Sequence, residues 1–449
     1  MGMTADAARI RPGMGRRAFL GRGVSALAGV TILPRSVFGA NGKIDVAFIG
    51  AGGKGSSAVK AMAGNPAANI VAFADVDEKR AGATYQGFPG VPTFADFRKM
   101  MDKHGKGIDA VVISTPDHTH HYCGKWCMRM GKHVYIEKPL AHNIAQIRDL
   151  MEAEKKNKLV CQMGNQGHSG VGIPLLDAWA KAGVFGEVKE LRAWCKSNWS
   201  FDDAERPKAE PVPPGLDWDL WLGPAPQIPH STRYYPSRWR GWFDFGNGAL
   251  GDWACHNMDA PWTVFDLGYP SKVHVESTGP LKLSFPKSAR LTYTFPAKPG
   301  RGEMVLRWYQ GPEFQPERPA ELEPDRQMGN EGGGSLIIGS KATAVMGSHA
   351  GTPRIIPESK AQEMAATLPK VAEKRSSHFD NWLRAIRGEE KARSHFAYAG
   401  LLTEVMQLGN IALHLNCNLK LDPVSREILD NPEAKKMFSW PPPRKGWEA

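Results

Sequence analysis

The run Ile44-Asp45-Val46-Ala47-Phe48-Ile49-Gly50-Ala51-Gly52-Gly53-Lys54-Gly55 constrains this chain more than any other stretch, because a short apolar segment breaks into glycines where a helix should begin. It predicts a buried strand, a G-x-G-x-x-G turn and a helix over about 56–62. Gly50 permits the tight turn, Gly52 lets the backbone approach a pyrophosphate, and Gly55 lets helix and strand pack closely, with Gly53 extending the same turn. The helix would aim free N–H groups and the positive end of its dipole at phosphates. Glycine-rich turns of this form also occur without a nucleotide, so the next strand matters. The apolar run 69–74 ends in Asp75, about twenty residues past the last glycine, where a carboxylate suits a ribose 2′-OH and repels a 2′-phosphate. A nicotinamide dinucleotide is therefore expected, NAD ahead of NADP, with Lys79 and Arg80 leaving NADP open.

The alternation continues through helices near 78–86 and 95–104, a strand over 110–114, a helix over 122–130, a strand over 132–136, a helix over 144–156 and a strand over 159–163. Strands alternating with helices predict a doubly wound parallel sheet of Rossmann type over 43–163. In such sheets ligands bind at the carboxyl ends of the strands. This places Thr115, Pro116 and His120 of one loop, and Glu137 and Lys138 of another, beside the expected cofactor. Pro139 holds Lys138 rigidly there. His118, His120 and His121 have no carboxylate partner at ligand spacing, so no metal is expected, and Thr119 reads as the cap of the helix that follows.

The formal charge of +11 invites a nucleic-acid reading, but six arginines against Asp6 put +5 of it before residue 40. The rest is spread thinly with no Lys/Arg block, and no nucleic-acid partner is expected. Gly15-Arg16-Arg17-Ala18-Phe19-Leu20 followed by a short apolar stretch resembles a twin-arginine export signal over 1–40, the alternative being a basic tail. Export by this route implies folding, and loading of any cofactor, before crossing, and a periplasmic or otherwise exported location. Elsewhere no apolar run approaches the roughly 18 residues a spanning helix requires. The six cysteines show no C-x-x-C or zinc spacing.

Past residue 163 the composition changes. A helix near 173–182 and a strand near 187–196 lead into a proline- and aromatic-rich stretch over about 198–242. Eight of the 14 tryptophans fall between Trp194 and Trp262. A loop cannot bury so many rings within itself, so some should line a cleft, and flat aromatic faces suit sugar rings. Alternating runs at 273–277, 290–295, 304–309, 335–338 and 343–346 predict an open, mostly antiparallel sheet, closed by a helical segment over 378–415. The second, α/β domain thus spans 164–415, with 416–449 left as a C-terminal tail. Asn165, His168, His230 and Tyr234 are candidates for sugar hydroxyls.

Between the aromatic stretch and the sheet lies Gly248-Ala249-Leu250-Gly251-Asp252-Trp253-Ala254-Cys255-His256. On a helix Asp252 and His256 stand four apart on one face, where a carboxylate could orient an imidazole, or where a capping Asp and a packed His could simply coexist. The nucleotide loop, Glu137-Lys138-Pro139 and Asp252-x-x-x-His256, in this order, resemble the Gfo/Idh/MocA oxidoreductase family, which includes glucose-fructose oxidoreductase and inositol dehydrogenase. The resemblance runs from about 43 to 415. It implies an N-terminal Rossmann domain and a C-terminal α/β domain whose open sheet makes homo-oligomer contacts. It also implies a catalytic set of Lys138, Asp252 and His256, with Gly50, Gly52, Gly55 and Asp75 on NAD. The leader, the Asn165-Gln166-Gly167-His168 turn and the run Trp218-Asp219-Leu220-Trp221-Leu222-Gly223-Pro224 resemble an exported, carbohydrate-acting branch.

The expected activity is hydride transfer from a sugar or glycoside hydroxyl, with His256 as base, Asp252 orienting it and Lys138 holding the reacting oxygen. Outside the cytoplasm little free NAD exchanges, so a tightly held, internally recycled cofactor is expected. Two outcomes fit: sugar oxidoreduction, or glycoside cleavage through transient C3 oxidation and elimination. A sugar-binding protein on a vestigial nucleotide fold is the alternative from another class.

Overall fold

A computed structural model describes residues 42–201, 205–279, 282–372 and 374–448. The export signal read in residues 1–40 lies outside the described residues.

The first sheet has six parallel strands: β1 (Ile44–Ile49), β2 (Ala68–Ala74), β3 (Thr93–Phe94), β4 (Ala110–Ile113), β5 (His133–Ile136) and β6 (Cys161–Met163), in the order β3-β2-β1-β4-β5-β6. The order of winding reverses at β1, which pairs in parallel with β2 on one side and β4 on the other. The crevice at their carboxyl ends is therefore the switch point of a doubly wound sheet. β4 and β5 are buried at every residue, as strands covered on both faces must be. Helices start where side chains cap them: Asp77, Asp96 and Asn143 accept from backbone N–H groups of Arg80, Arg98 and Gln146. The helix His120–Arg129 departs from expectation, since Thr119 makes no side-chain cap and instead bonds Thr115 Oγ1 and the Pro116 carbonyl.

The second sheet has nine strands: β7 (Val188–Trp194), β8 (Lys272–Ser277), β9 (Ala289–Phe295), β10 (Met304–Gln310), β11 (Gly334–Gly339), β12 (Thr343–Gly347), β13 (Arg354–Ile356), β14 (Leu419–Asp422) and β15 (Glu427–Ile428), ordered β13-β12-β11-β7-β10-β9-β8-β14-β15. Only β7 and β10 pair in parallel. Along β9 buried and half-buried residues alternate strictly, so one face packs inward and the other stays open. The inner face meets helix Phe396–Leu415, which also packs on helix Ile144–Asn157 of the first sheet, giving a core continuous across both sheets.

Two expectations are corrected here. The helical segment 378–415 is two helices, His378–Ile386 and Phe396–Leu415. The stretch 416–449 is no loose tail: it adds β14 and β15 to the sheet and then returns to the first sheet, where Trp447 packs near Phe97 and Tyr122.

Candidate active site

One cleft of about 470 Å³ runs along the carboxyl ends of β1, β2, β4 and β5, within the usual ligand-cleft range of about 300–1,000 Å³. The glycine turn forms its floor. A Cβ on Gly55 would stand 1.8 Å from the Gly50 carbonyl oxygen, and one on Gly50, at φ +85°, would stand 2.6 Å from the Ser114 carbonyl oxygen. Glycine is thus required at both positions for helix Lys54–Ala63 to sit on the turn. That helix has no side-chain cap and no acidic residue in its first turn, which leaves its positive end facing the cleft. Asp75 directly follows β2 and lines the cleft. Its Oδ2 accepts from the N–H groups of Ala51 and Gly52, both at 2.8 Å. Burial raises the Asp75 pKa, and bonds from Asp77, Gly52 and Ala51 oppose the rise. Arg80 lies over the turn, with its Cγ 2.8 Å from where a Gly52 Cβ would be. The Arg80 side chain lines the cleft and Lys79 does not. On the β4–β5 side Thr115, Pro116, Glu137 and Lys138 line it as well. Glu137 is buried, accepts from Gln166 at 3.1 Å, and keeps Oε2 without a partner among the described residues. These features fit NAD: a turn for its pyrophosphate, a carboxylate at each end for ribose hydroxyls, and a cavity of dinucleotide reach.

Further along, Lys138 follows β5, and its peptide bond to Pro139 is cis. Lys138 Nζ donates to Asp252 Oδ1 at 2.5 Å and to the Asp252 carbonyl oxygen at 2.8 Å. Trp199 Nε1 donates to Asp252 Oδ2 at 2.8 Å, and Arg240 Nε lies 3.3 Å from Oδ1. Although burial opposes it, Arg240 and Lys138 hold the Asp252 carboxyl well below the usual carboxylate range. His256 is buried and stacks on His349, ring centres 4.0 Å apart and planes 26° from parallel. Burial, then the Lys138 charge and His349, push its pKa well below 6.5. Its Nδ1 is buried without a partner among the described residues.

Asp252 and His256 therefore do not form the expected pair. Residues Leu250–Ala254 make a π-helical turn before helix Cys255–Asn257, and the wider turn spoils the stacking of residues four apart. Asp252 turns to Lys138, and His256 to His349.

Other expectations fail because the side chains are taken up inside the protein, away from the cleft. His120 is fully buried, with ring nitrogens 2.8 Å from the Pro139 and Thr115 carbonyl oxygens, so it ties two cleft loops together from behind. Asn165 is fully buried, giving Nδ2 to Asp259 at 3.0 Å and taking Ser394 Oγ at 2.5 Å. His168 holds Asp259 at 2.9 Å and packs its ring, tilted, against Tyr398. His230 and Tyr234 are buried in the aromatic cluster around Trp218, Trp242 and Phe245. None of these five lines the cleft. Of the eight clustered tryptophans, Trp199, Trp221, Trp239 and Trp253 line it, while Trp194, Trp218, Trp242 and Trp262 are buried.

Sequence reading missed Gln166, Arg240 and His349, all in the cleft wall. For His349 one hint existed: a lone imidazole among Gly347, Ser348, Ala350 and Gly351, after a strand. His349 and Ala350 take φ +61° and +49°, and Gly167 makes room, since its Cβ would lie 2.1 Å from the His349 carbonyl oxygen. For Gln166 and Arg240 the sequence offers no signal.

Residues 44–165 match the family model described as oxidoreductase family, NAD-binding Rossmann fold. Residues 188–295 match the model described as oxidoreductase family, C-terminal alpha/beta domain. Glycosyl hydrolase family 109 protein 3 of Phocaeicola vulgatus is 33% identical over 180 residues, 35% of this chain and 31% of that protein. Inositol 2-dehydrogenase 1 of Saccharopolyspora erythraea is 35% identical over 124 residues, 24% of this chain and 36% of that protein. The chain spans about a third of the length of these curated relatives. The WlbA dehydrogenase from Bordetella pertussis, solved with NADH and UDP-GlcNAcA, superposes with TM-score 0.56 at 16% identity, covering 85% of this chain and 99% of that one. Aldose-aldose oxidoreductase from Caulobacter crescentus gives TM-score 0.53 at 14% identity, covering 84% and 100%.

Proposed function

The chain belongs to the Gfo/Idh/MocA family of NAD-binding oxidoreductases, and from that premise we propose that it oxidises a hydroxyl-bearing carbon of a sugar or glycoside by hydride transfer. The observation that carries this reading is the continuity of one cleft, from the glycine turn to Lys138, Asp252 and His256. Bound NAD supplies the hydride acceptor. Gly50, Gly52, Gly53 and Gly55 would hold its pyrophosphate, Asp75 and Glu137 its riboses, and Thr115 and Pro116 its nicotinamide half. Asp252 fixes the Lys138 ammonium, which donates a hydrogen bond to the reacting oxygen and favours its deprotonated form. His256, kept neutral by burial, accepts the hydroxyl proton. Trp199, Trp239 and Trp253, which line the cleft, would pack against the sugar ring.

The test is to purify the folded protein, release bound nucleotide by denaturation, and mix the holoprotein with a panel of glycosides and free sugars while following nicotinamide absorbance. Released NAD and a sugar-dependent absorbance change are expected. A nucleotide-free protein that no sugar perturbs would reject the proposal.

A second reading has its own support in the relatives named as glycosyl hydrolase family 109 proteins. A C3 carbonyl acidifies the C2 hydrogen, so a base can remove that proton and expel the C1 substituent. Water then adds at C1 and the carbonyl is reduced again. Deuterium entering C2 from solvent distinguishes this route from simple oxidation.

Two settings complete the proposal. Arg16 and Arg17 mark a twin-arginine leader that exports the folded, cofactor-loaded protein. A homo-oligomer forms through the open face of the second sheet, where Glu190 pairs with Arg192 and Arg307, and Glu276 with Arg290. No helix among the described residues is long and apolar enough to cross a membrane.

A further inference from the structure

The adenosine end of the nucleotide cleft is not bounded by the Rossmann sheet alone. Past Asp75, away from Lys138, the lining passes to Asp96, Phe97 and Cys123 of the first sheet's connections, then to Leu220, Trp221 and Trp447 from outside it. Those outside residues are built as a unit. The segment 215–217 is fixed to the end of β2: Glu78 N–H donates to the Gly215 carbonyl at 3.0 Å and Asp217 N–H to the Val76 carbonyl at 2.8 Å. Helix Trp218–Leu222 follows, capped by Asp217. It ends at Gly223, φ +50°, where a Cβ would lie 3.1 Å from Thr119 and 3.6 Å from Trp447.

This helix end is a dock for Arg444. The Arg444 N–H donates to the Pro224 carbonyl at 2.9 Å, and its guanidinium gives Nη1 to Asp219 Oδ1 at 2.6 Å and Nη2 to the Asp219 carbonyl at 2.7 Å. Nε reaches the Gly223 carbonyl and Nη1 also reaches Gln227. Five bonds on one side chain and its own backbone fix the chain three residues before Trp447. The Trp447 N–H closes that turn on the Arg444 carbonyl at 3.1 Å. Arg98, itself held on Asp96, places its guanidinium 4.5 Å over the indole, with Tyr122 edge-on to it and Phe97 tilted beside it. An indole held this way against a nucleotide cleft is a stacking platform for a base.

We propose that residues 444–447 form a strap whose Trp447 ring roofs the adenine of the bound dinucleotide, and that this strap keeps the cofactor resident between turnovers. The proposal rests on the NAD reading above and extends it: the run Trp218 to Pro224 serves as the dock of the strap.

The test uses the full chain and three variants, Trp447→Ala, Trp447→Phe and Arg444→Ala. NADH is loaded, chased with excess NAD, and its release followed by fluorescence. Trp447→Ala should release NADH roughly five- to a hundredfold faster, the range that base–aromatic stacking gives on alanine substitution. Trp447→Phe should restore most of the retention. Arg444→Ala keeps the ring but cuts its anchors, and should also release faster. ADP-ribose affinity should fall in Trp447→Ala while nicotinamide mononucleotide affinity holds. Wild-type release rates in both alanine variants would overturn the strap, and equal loss of both half-ligands would overturn its placement on the adenosine end. A wild-type chain that binds neither NADH nor ADP-ribose would overturn the NAD reading as well.

Discussion

Lys138 and Asp252 meet at 2.5 Å although 114 residues separate them in the chain. Arg240 stands on the same carboxylate, so two cations share one anion where the reacting oxygen would gain negative charge. Removing the anion or the donor should cost transition-state stabilisation more than binding. Lys138→Ala and Asp252→Asn should each slow nicotinamide reduction by about 10²- to 10³-fold with a smaller change in sugar affinity. The double variant should lose less than the product of the two. Single-turnover absorbance against sugar titration decides this, and a change confined to sugar affinity would assign the pair to binding alone.

His256 carries the pH prediction. Its pKa is depressed by burial, by Lys138 and by His349, so the ring is neutral, and able to accept a proton, above a pKa lying under 6.5. Base function is present above that value and lost as pH falls through it. The rate of nicotinamide reduction should thus stay level as pH drops to 6.5 and decline only in more acidic solution. A decline centred above 6.5 would remove His256 from the role of base.

Gly167 and His349 give a prediction on shape. A methyl group on Gly167 meets backbone, which cannot swing aside as a side-chain end can. Gly167→Ala should destabilise the fold by roughly 1–3 kcal/mol and lower activity by shifting His349 off His256. Denaturant unfolding together with turnover checks it, and an unchanged midpoint with unchanged turnover would refute it.

Asp75 holds the turn and in the proposed function also holds the ribose, so Asp75→Ala should weaken NAD binding by about 1.5–3 kcal/mol. With the carboxylate gone and Arg80 still over the turn, preference should move toward NADP. Titration with both nucleotides measures the shift.

Arg16 and Arg17 test the setting. Replacing both with Lys should leave the fold intact and stop export, read by cell fractionation. Unaltered export would reduce the leader to a basic tail.

The first sheet was legible because strands covered on both faces must be apolar throughout, and because one turn needs glycine at fixed spacing. β3, with two residues, leaves no periodicity to read. The second sheet showed itself in the alternation of β9 and β10. Lys138, Asp252 and His256 were each legible as residues, but their partnership was not. Over five residues a sequence cannot distinguish a π turn from an α turn, and that difference sends Asp252 to Lys138. His230 and Tyr234 misled for another reason: an aromatic-rich loop builds a small core of its own, and polar-tipped rings enter it. His349 and Arg240 arrive from distant loops that only the folded chain brings to the cleft.

The position of the 444–447 strap also bears on how the protein acquires its nucleotide. Synthesis runs from the N-terminus, and domains fold largely as they emerge. The glycine turn, Asp75 and the β4–β5 edge are thus synthesised hundreds of residues before the strap, so the adenosine end would stay open until the strap docks. On the strap proposed above, docking of Arg444 on Gly223 would slow entry and exit alike. Occupancy would then follow the nucleotide supply during folding more closely than the concentration around the finished protein.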